Sequence, residues 1–189
     1  MKTIQIKTIQ FLSFLLLVTM TSCTSGSTKK STNDTGVKAP DIDIHTATIT
    51  GNIDAIKQHI AAGSNLNEKD PFGGSSPLIT AAVFGQNEVA KLLIEAGADL
   101  NIQNNEGSTA LISAAFFCRP EMVQMLIKAG ADPNIRNKYG ATANESVMGP
   151  FAEIKGVYEM LASQLGPMGL TLDYEYIEKT RPQIAEMLN

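Results

Sequence analysis

Residues 95–110 read EAGADLNIQNNEGSTA and residues 128–143 read KAGADPNIRNKYGATA, with ten of sixteen positions identical at a separation of 33. This repetition constrains the fold more than any other feature. A unit of this length is too short to bury its own apolar face, so units at fixed spacing stack and share one continuous core. The same spacing relates Leu78 to Leu111, Gly97 to Gly130 and Asn101 to Asn134. Ile44, Gly51, Gly63 and Asn67 precede Leu78, Gly85, Gly97 and Asn101 by 34. The additional residue is placed in the loop PFGGS, at Gly73 or Gly74.

Each phrase of the unit has a physical reading. In SPLITAAVFG, Ser76 suits an N-cap and Pro77 the first helical position. Ala81 and Ala82 let a second helix approach closely, and Gly85 ends the first helix in a left-handed conformation. The second helix, NEVAKLLIEAG, is expected to start from a cap at Asn87 and to place Val89, Leu92, Leu93 and Ala96 on one face. Gly97 follows it. ADLNIQNNEGST is too polar and turn-rich to be helical, and Gly107 supplies a positive-φ position in a turn. The unit is helix, turn, helix, projecting hairpin-like loop.

These residues resemble the ankyrin repeat, whose pattern runs D-x-x-G-x-T-P-L-H-x-A-A, a glycine, an apolar helix, then G-A-D-x-N. The resemblance is strong over residues 71–103 and 104–136. A first unit, about 38–70, keeps Ile44 to Ala47, Gly51, Gly63 and Asn67, and a fourth begins at Asn137 with NKYGATA. The expected architecture is an all-α ankyrin-repeat solenoid of about four repeats, residues 41–148, with a degenerate repeat and C-terminal helical cap over 149–189. The family histidine is kept only as His45, with Ile79, Ile112 and Glu145 at its place elsewhere. The family proline is kept only as Pro77, with Ala110 and Ala143 in the next units. Cys118 replaces the glycine that ends the first helix, a change expected to lengthen or distort that turn. In the tail, GVYEMLASQLG is expected to be the second helix of the fourth unit, displaced by about two residues. DYEYIEKTRPQIAEMLN reads as one or two helices, with Pro182 opening the last.

The N-terminus has a different character. Lys2 and Lys7 precede the apolar run FLSFLLLVTM, residues 11–20, which has the length of a signal-peptide core. A membrane-spanning helix needs about 20 apolar residues. The run closes in MTSC, which resembles a bacterial lipobox, with Met20 where leucine is usual and Cys23 as the lipidated residue. That resemblance implies a signal peptide over 1–22, a palmitate-type lipid anchor on Cys23 and a lipoprotein of the cell envelope. Thr24, rather than aspartate, favours the outer membrane. Residues 23–40 are rich in Ser, Thr, Gly and Lys and read as a flexible tether. With Cys23 lipidated, Cys118 is a lone thiol, so the fold stands without a disulfide and Cys118 reads as a small buried apolar residue.

Little in the chain suggests catalysis. The net charge is −4 and charged residues are 18%, which argues against a basic nucleic-acid face. There is no G-x-S-x-G, no Cys-His pair and no phosphate-cradling glycine loop. Asp41, Asp43 and His45 form DIDIH but lack further ligands at metal-site spacing, so no metal or cofactor is expected. His59 reads as a surface residue near a helix C-terminus, and Asp99 and Asp132 as hairpin-base residues. Binding of another protein remains, and the resemblance implies that it uses the concave face and loop tips. The tips are Phe72, Asn105, Glu106, Lys138 and Tyr139, and the concave positions are Val83, Phe84, Phe116 and Phe117. An inhibitor or immunity-type partner of an envelope enzyme is one version of this function. A small-ligand-binding accessory, with the tail adding a site, is a different class.

Overall fold

A computed structural model describes residues 36–189. The signal peptide expected at 1–22, Cys23 and most of the expected tether lie outside the described residues. Among the described residues the helices are α1 (Ile44–Ile49), α2 (Ile53–Ala61), α3 (Pro77–Phe84), α4 (Asn87–Glu95), α5 (Ala110–Phe116), α6 (Pro120–Lys128), α7 (Glu145–Met148), α8 (Phe151–Leu165) and α9 (Tyr174–Met187), with a 3-10 turn at Gly166–Met168 between the last two.

The first helices start where the sequence places caps. Asp43, Ser76 and Thr109 each accept a hydrogen bond from the amide three residues on, in α1, α3 and α5. Pro77 occupies the first turn of α3, where no amide hydrogen is needed. The second helices are mixed: Asn52 and Asp173 cap α2 and α9 in the same way, but α4 and α6 have no side-chain cap bond. Asn87 is the first residue of α4 rather than its cap, and Gln86, at the cap position, makes no side-chain cap bond.

The helices form two rows. α1, α3, α5 and α7 touch in succession, and α2, α4, α6 and α9 form the second row. Ala47, Ala81, Ala82, Ala114 and Ala115 have no exposed surface, so neighbouring helices close on bare methyl groups. The larger core side chains, Ile56, Leu78, Leu93, Leu111, Met122 and Leu126, are equally enclosed. Ile79 and Ile112, at the family-histidine place, are 1% and 3% exposed and fill core volume. His45 holds that place in the first unit, yet neither ring nitrogen has a hydrogen-bond partner. Keeping the histidine therefore adds no bond here that the isoleucines forgo.

The turn joining each first helix to its second is the recurrent joint. Gly51 and Gly85 turn at φ 65° and 71°, and Cys118 takes the same left-handed turn at φ 52°. The turn is therefore neither lengthened nor distorted, and the cysteine bears a left-handed backbone costing about 1–2 kcal/mol. Two residues before each of these turn residues lies a carbonyl that accepts from the following layer. Gln86 Nε2 donates to Ile49 O at 2.9 Å, and Arg119 Nη2 donates to Val83 O at 3.4 Å. In the third layer Tyr158 Oη donates to Phe116 O at 2.5 Å. In the fourth and last described layer, Gly149 O accepts instead from within its own layer, from Arg181 Nη2 of α9 at 3.1 Å.

That last pair reveals a departure from the expected tail. α8, which contains GVYEMLASQLG, does not take the second-helix place of the fourth unit. α9 takes it, against α6 and α7, with Ile184 enclosed in the main core. α8 is an insertion between the paired helices α7 and α9. It is anchored through Tyr158, its one buried residue, beside Phe116, Cys118 and Ile177. Pro182 lies inside α9 rather than at its start, and faces solvent. His59 is another correction. It is 6% exposed, and its ring nitrogens lie 3.0 Å from Ser64 Oγ and 2.9 Å from Ile42 O, which ties the entering chain to the end of α2. Gln58 Nε2 bonds Lys38 O at 3.0 Å, so the chain is already docked two residues before the expected end of the tether.

Two outcomes follow for stability. A Cβ on Gly107 (φ 73°) would stand 2.9 Å from Lys138 N, whereas one on Gly140 (φ 78°) meets nothing within 4 Å. In urea denaturation Gly140→Ala is expected to lose about 1–2 kcal/mol from strain alone, and Gly107→Ala distinctly more. Tyr158→Phe strands Phe116 O and removes an acceptor from Arg181, for an expected loss of about 1–3 kcal/mol in the same assay.

Candidate interaction surface

The hairpins project from one edge of the stack, and each is built round a single polar side chain. Asp70 accepts from the amides of Phe72, Gly73 and Ser75 at 2.8, 2.7 and 2.6 Å. Asn104 accepts from Glu106 and Ser108, and Asn137 from Tyr139 and Ala141, all at 2.9–3.0 Å. Successive hairpins are then bonded to each other. Asn105 N donates to Gly73 O at 2.8 Å, and Lys138 N donates to Glu106 O at 2.9 Å. Lys69 Nζ reaches Gln103 O at 2.7 Å, and Gln103 Nε2 reaches Arg136 O at 3.0 Å. Arg136 closes the series on Gly140 O and on Glu145.

The hairpin bases carry a second ladder. Asn67 Oδ1 accepts from Asp99 N and Asn101 Oδ1 from Asp132 N, each at 2.9 Å. Asp99 and Asp132 in turn accept from Asn101 N and Asn134 N at 2.9 Å. The two aspartates are structural, as their place in the repeat implied.

The bonding brings the tip residues Phe72, Asn105, Glu106, Lys138 and Tyr139 into one ridge, and all five are exposed. Phe72 is 91% exposed and Tyr139 60%. Tyr139 is not free at its polar end, because its hydroxyl donates to Glu106 Oε2 at 2.6 Å. That bond raises the phenol pKa above its ordinary value, with burial and the Glu106 charge acting in the same direction.

Val83 and Phe84, at the end of α3, are half-buried. Their counterparts in α5 are placed differently. Phe117 is only 7% exposed, and Phe116 stacks on Tyr158 of α8 with ring centroids 4.6 Å apart. The two phenylalanines meet edge to face at 5.3 Å. The inserted helix thus covers Phe116, and Phe117 is withdrawn from the surface expected to present it. The sequence offers one signal for this: an interruption of the repeat at 149–170 that is long enough to return over the preceding unit. Burial pushes the Tyr158 phenol up to about 12 despite the nearby Arg181 charge, so the group stays protonated and donates to Phe116 O.

Two rows of stacked helices with a projecting hairpin edge define a helical repeat solenoid. Residues 44–137 match the family model of ankyrin repeats in three copies, and this segment belongs to the ankyrin-repeat family. The solved ankyrin repeat domain of Bcl-3 aligns with a TM-score of 0.53 and 29% identity, over 55% of this chain and 45% of that one. The DNA-binding protein RFXANK of Homo sapiens is 38% identical over 65 residues, which are 34% of this chain and 25% of the relative. Protein phosphatase 1 regulatory subunit 27 of Homo sapiens is 31% identical over 64 residues, 34% of this chain and 41% of the relative. The match thus spans less than half the length of each relative.

Asp70 gives the ridge a pH dependence. Burial raises its pKa, but the amides of Gly73, Phe72 and Ser75 outweigh it, and the net position is below the usual value. A carboxyl depressed in the folded state stabilises the fold above its unfolded pKa, and that contribution is lost as pH falls through the folded pKa. The stability difference between the native chain and Asp70→Asn is therefore expected to be largest near neutral pH. It should shrink steadily on acidification, as followed by thermal melts across the carboxylate range.

Proposed function

We propose that the chain is a non-enzymatic protein-interaction module of a bacterial cell envelope, anchored by lipid on Cys23. Its tether would leave the repeat domain free to meet a partner protein. The reading of binding rests on the hairpin ridge. Its backbone is bonded internally from one hairpin to the next, while Phe72, Lys138 and Tyr139 stand outward. A frame already fixed loses little conformational entropy when a partner docks, so more of the contact energy appears as affinity. Fully burying an exposed aromatic such as Phe72 contributes about 1.5–3 kcal/mol. Val83 and Phe84 extend the surface along α3. The family membership of residues 44–137 supports the same reading. The envelope assignment rests on Lys2, the apolar run and the MTSC sequence alone.

Affinity capture from native envelopes, comparing the unaltered chain with a Phe72→Ala, Phe84→Ala and Tyr139→Ala triple variant, tests the surface. A partner held by the first should be lost from the second, while the melting temperature of the variant stays within a few degrees. Undiminished capture by the variant would remove these residues from the binding face. Labelled palmitate should enter the chain and should fail to enter Cys23→Ser. Equal labelling of both would end the lipoprotein reading.

A further inference from the structure

The insertion that carries α8 has a second effect. Its returning strand of chain, together with the start of α9, closes a cleft of about 330 Å³ over the turn between α5 and α6. Phe117, Leu172 and Ile177 make its apolar lining, and Arg119, Tyr176 and Asp173 its polar side. The volume lies at the small end of the range for ligand pockets, about 300–1,000 Å³.

Arg119 is the unusual member. Its structural duty is the bond to the carbonyl of the preceding layer, made at 3.4 Å. Gln86 performs that duty one layer earlier at 2.9 Å without any charge. The stack therefore has no need of a guanidinium at this position. The charge is also poorly served where it lies. Arg119 Nε is buried and has no hydrogen-bond partner. Among the described residues, no carboxylate forms an ion pair with it. Asp173, across the cleft, is occupied in capping α9 through Tyr176 N at 3.0 Å.

A second cation deepens the imbalance. Arg181 is 4% exposed, and its bonds go to neutral acceptors, Tyr158 Oη at 3.0 Å and Gly149 O at 3.1 Å. Burial pushes the Cys118 thiol up to about 11 while the Arg181 and Arg119 charges act against it, so both guanidiniums lie near that thiol. Desolvation lowers the Arg119 pKa, as expected for a cation lacking a counter-charge. Arg119 is half-buried, so its charge is held partly out of water without a counter-ion, and an anion entering the cleft would relieve that cost.

We infer that this cleft is a binding site for an organic carboxylate, with the acid group on Arg119 and an aromatic or branched aliphatic group against Phe117, Leu172 and Ile177. The planar guanidinium matches a carboxylate in a two-point geometry. Asp173 on the same rim disfavours a more highly charged anion such as phosphate. The acid has two possible sources with the same chemistry: a free small molecule, or the last residue of a polypeptide. The site is separate from the hairpin ridge and stands or falls without it.

Calorimetric titration of the full chain tests the assignment. The probes are phenylacetate, its neutral amide, and the tripeptide Gly-Gly-Phe with a free or an amidated C-terminus. At least one acid should bind with one-to-one stoichiometry, at least tenfold more tightly than its amide. Tighter binding of phenylacetate assigns the site to free acids, and tighter binding of the tripeptide assigns it to chain ends. Arg119→Gln should weaken acid binding at least tenfold and leave the amide unaffected. Its melting temperature should be unchanged or higher, because glutamine already serves this position in the layer before. Leu172→Trp, which fills the cleft and keeps the charge, should abolish binding of acid and amide alike. The inference is overturned if neither acid saturates, if acid and amide bind equally, or if Arg119→Gln binds as the native chain does.

Discussion

Each layer of this solenoid ends its first helix on a carbonyl that the following layer must cover. A helix C-terminus leaves several carbonyls without intrahelical partners, and the left-handed turn at Gly51, Gly85 or Cys118 settles part of that deficit. The remainder is met by Gln86, Arg119 and Tyr158 in turn, and in the last layer by Arg181 of its own second helix. Four different side chains thus perform one task at one recurring position. The task, more than the residue type, is what the repeat preserves.

The same requirement accounts for the irregular end. Where a regular array would place the next second helix directly after α7, the chain departs into α8 and returns as α9. The carbonyl of Phe116 is nonetheless covered, because α8 brings Tyr158 to it. Arg181 then grips both Tyr158 Oη and Gly149 O, joining the insertion to the last repeat. The insertion converts what would have been an open apolar wall at Phe116 and Phe117 into a small enclosed core with Cys118 and Tyr158.

Much of this architecture is legible in the sequence, for a physical reason. Spacing of 33 fixes which residues must stack, and caps and glycines are local in their effect, so Ser76, Gly85, Gly97 and Gly107 are read directly. The hairpin tips follow, since polar turns between apolar helices have nowhere to go but outward. The tail was not legible in the same way. α8 has the apolar pattern of a second helix, and nothing local separates it from α9, which wins the slot through contacts with α6 and α7 distant in sequence. The burial of Phe117 and the covering of Phe116 depend on that choice, and so does the cleft beside Arg119. The burial of His59 is hidden from the sequence for a related reason: its partners, Ser64 and Ile42, lie on either side of a helix whose packing decides its exposure.

The one-way coverage of carbonyls makes the stack directional. If the first layer peels away, Gln86 loses an acceptor but remains half-exposed, where water replaces it at small cost. If the last layers peel away instead, Phe116 O and its aromatic neighbours are laid bare together. Fraying should therefore begin at the α1–α2 end, while the end carrying Arg181 behaves as the anchored end of a zipper.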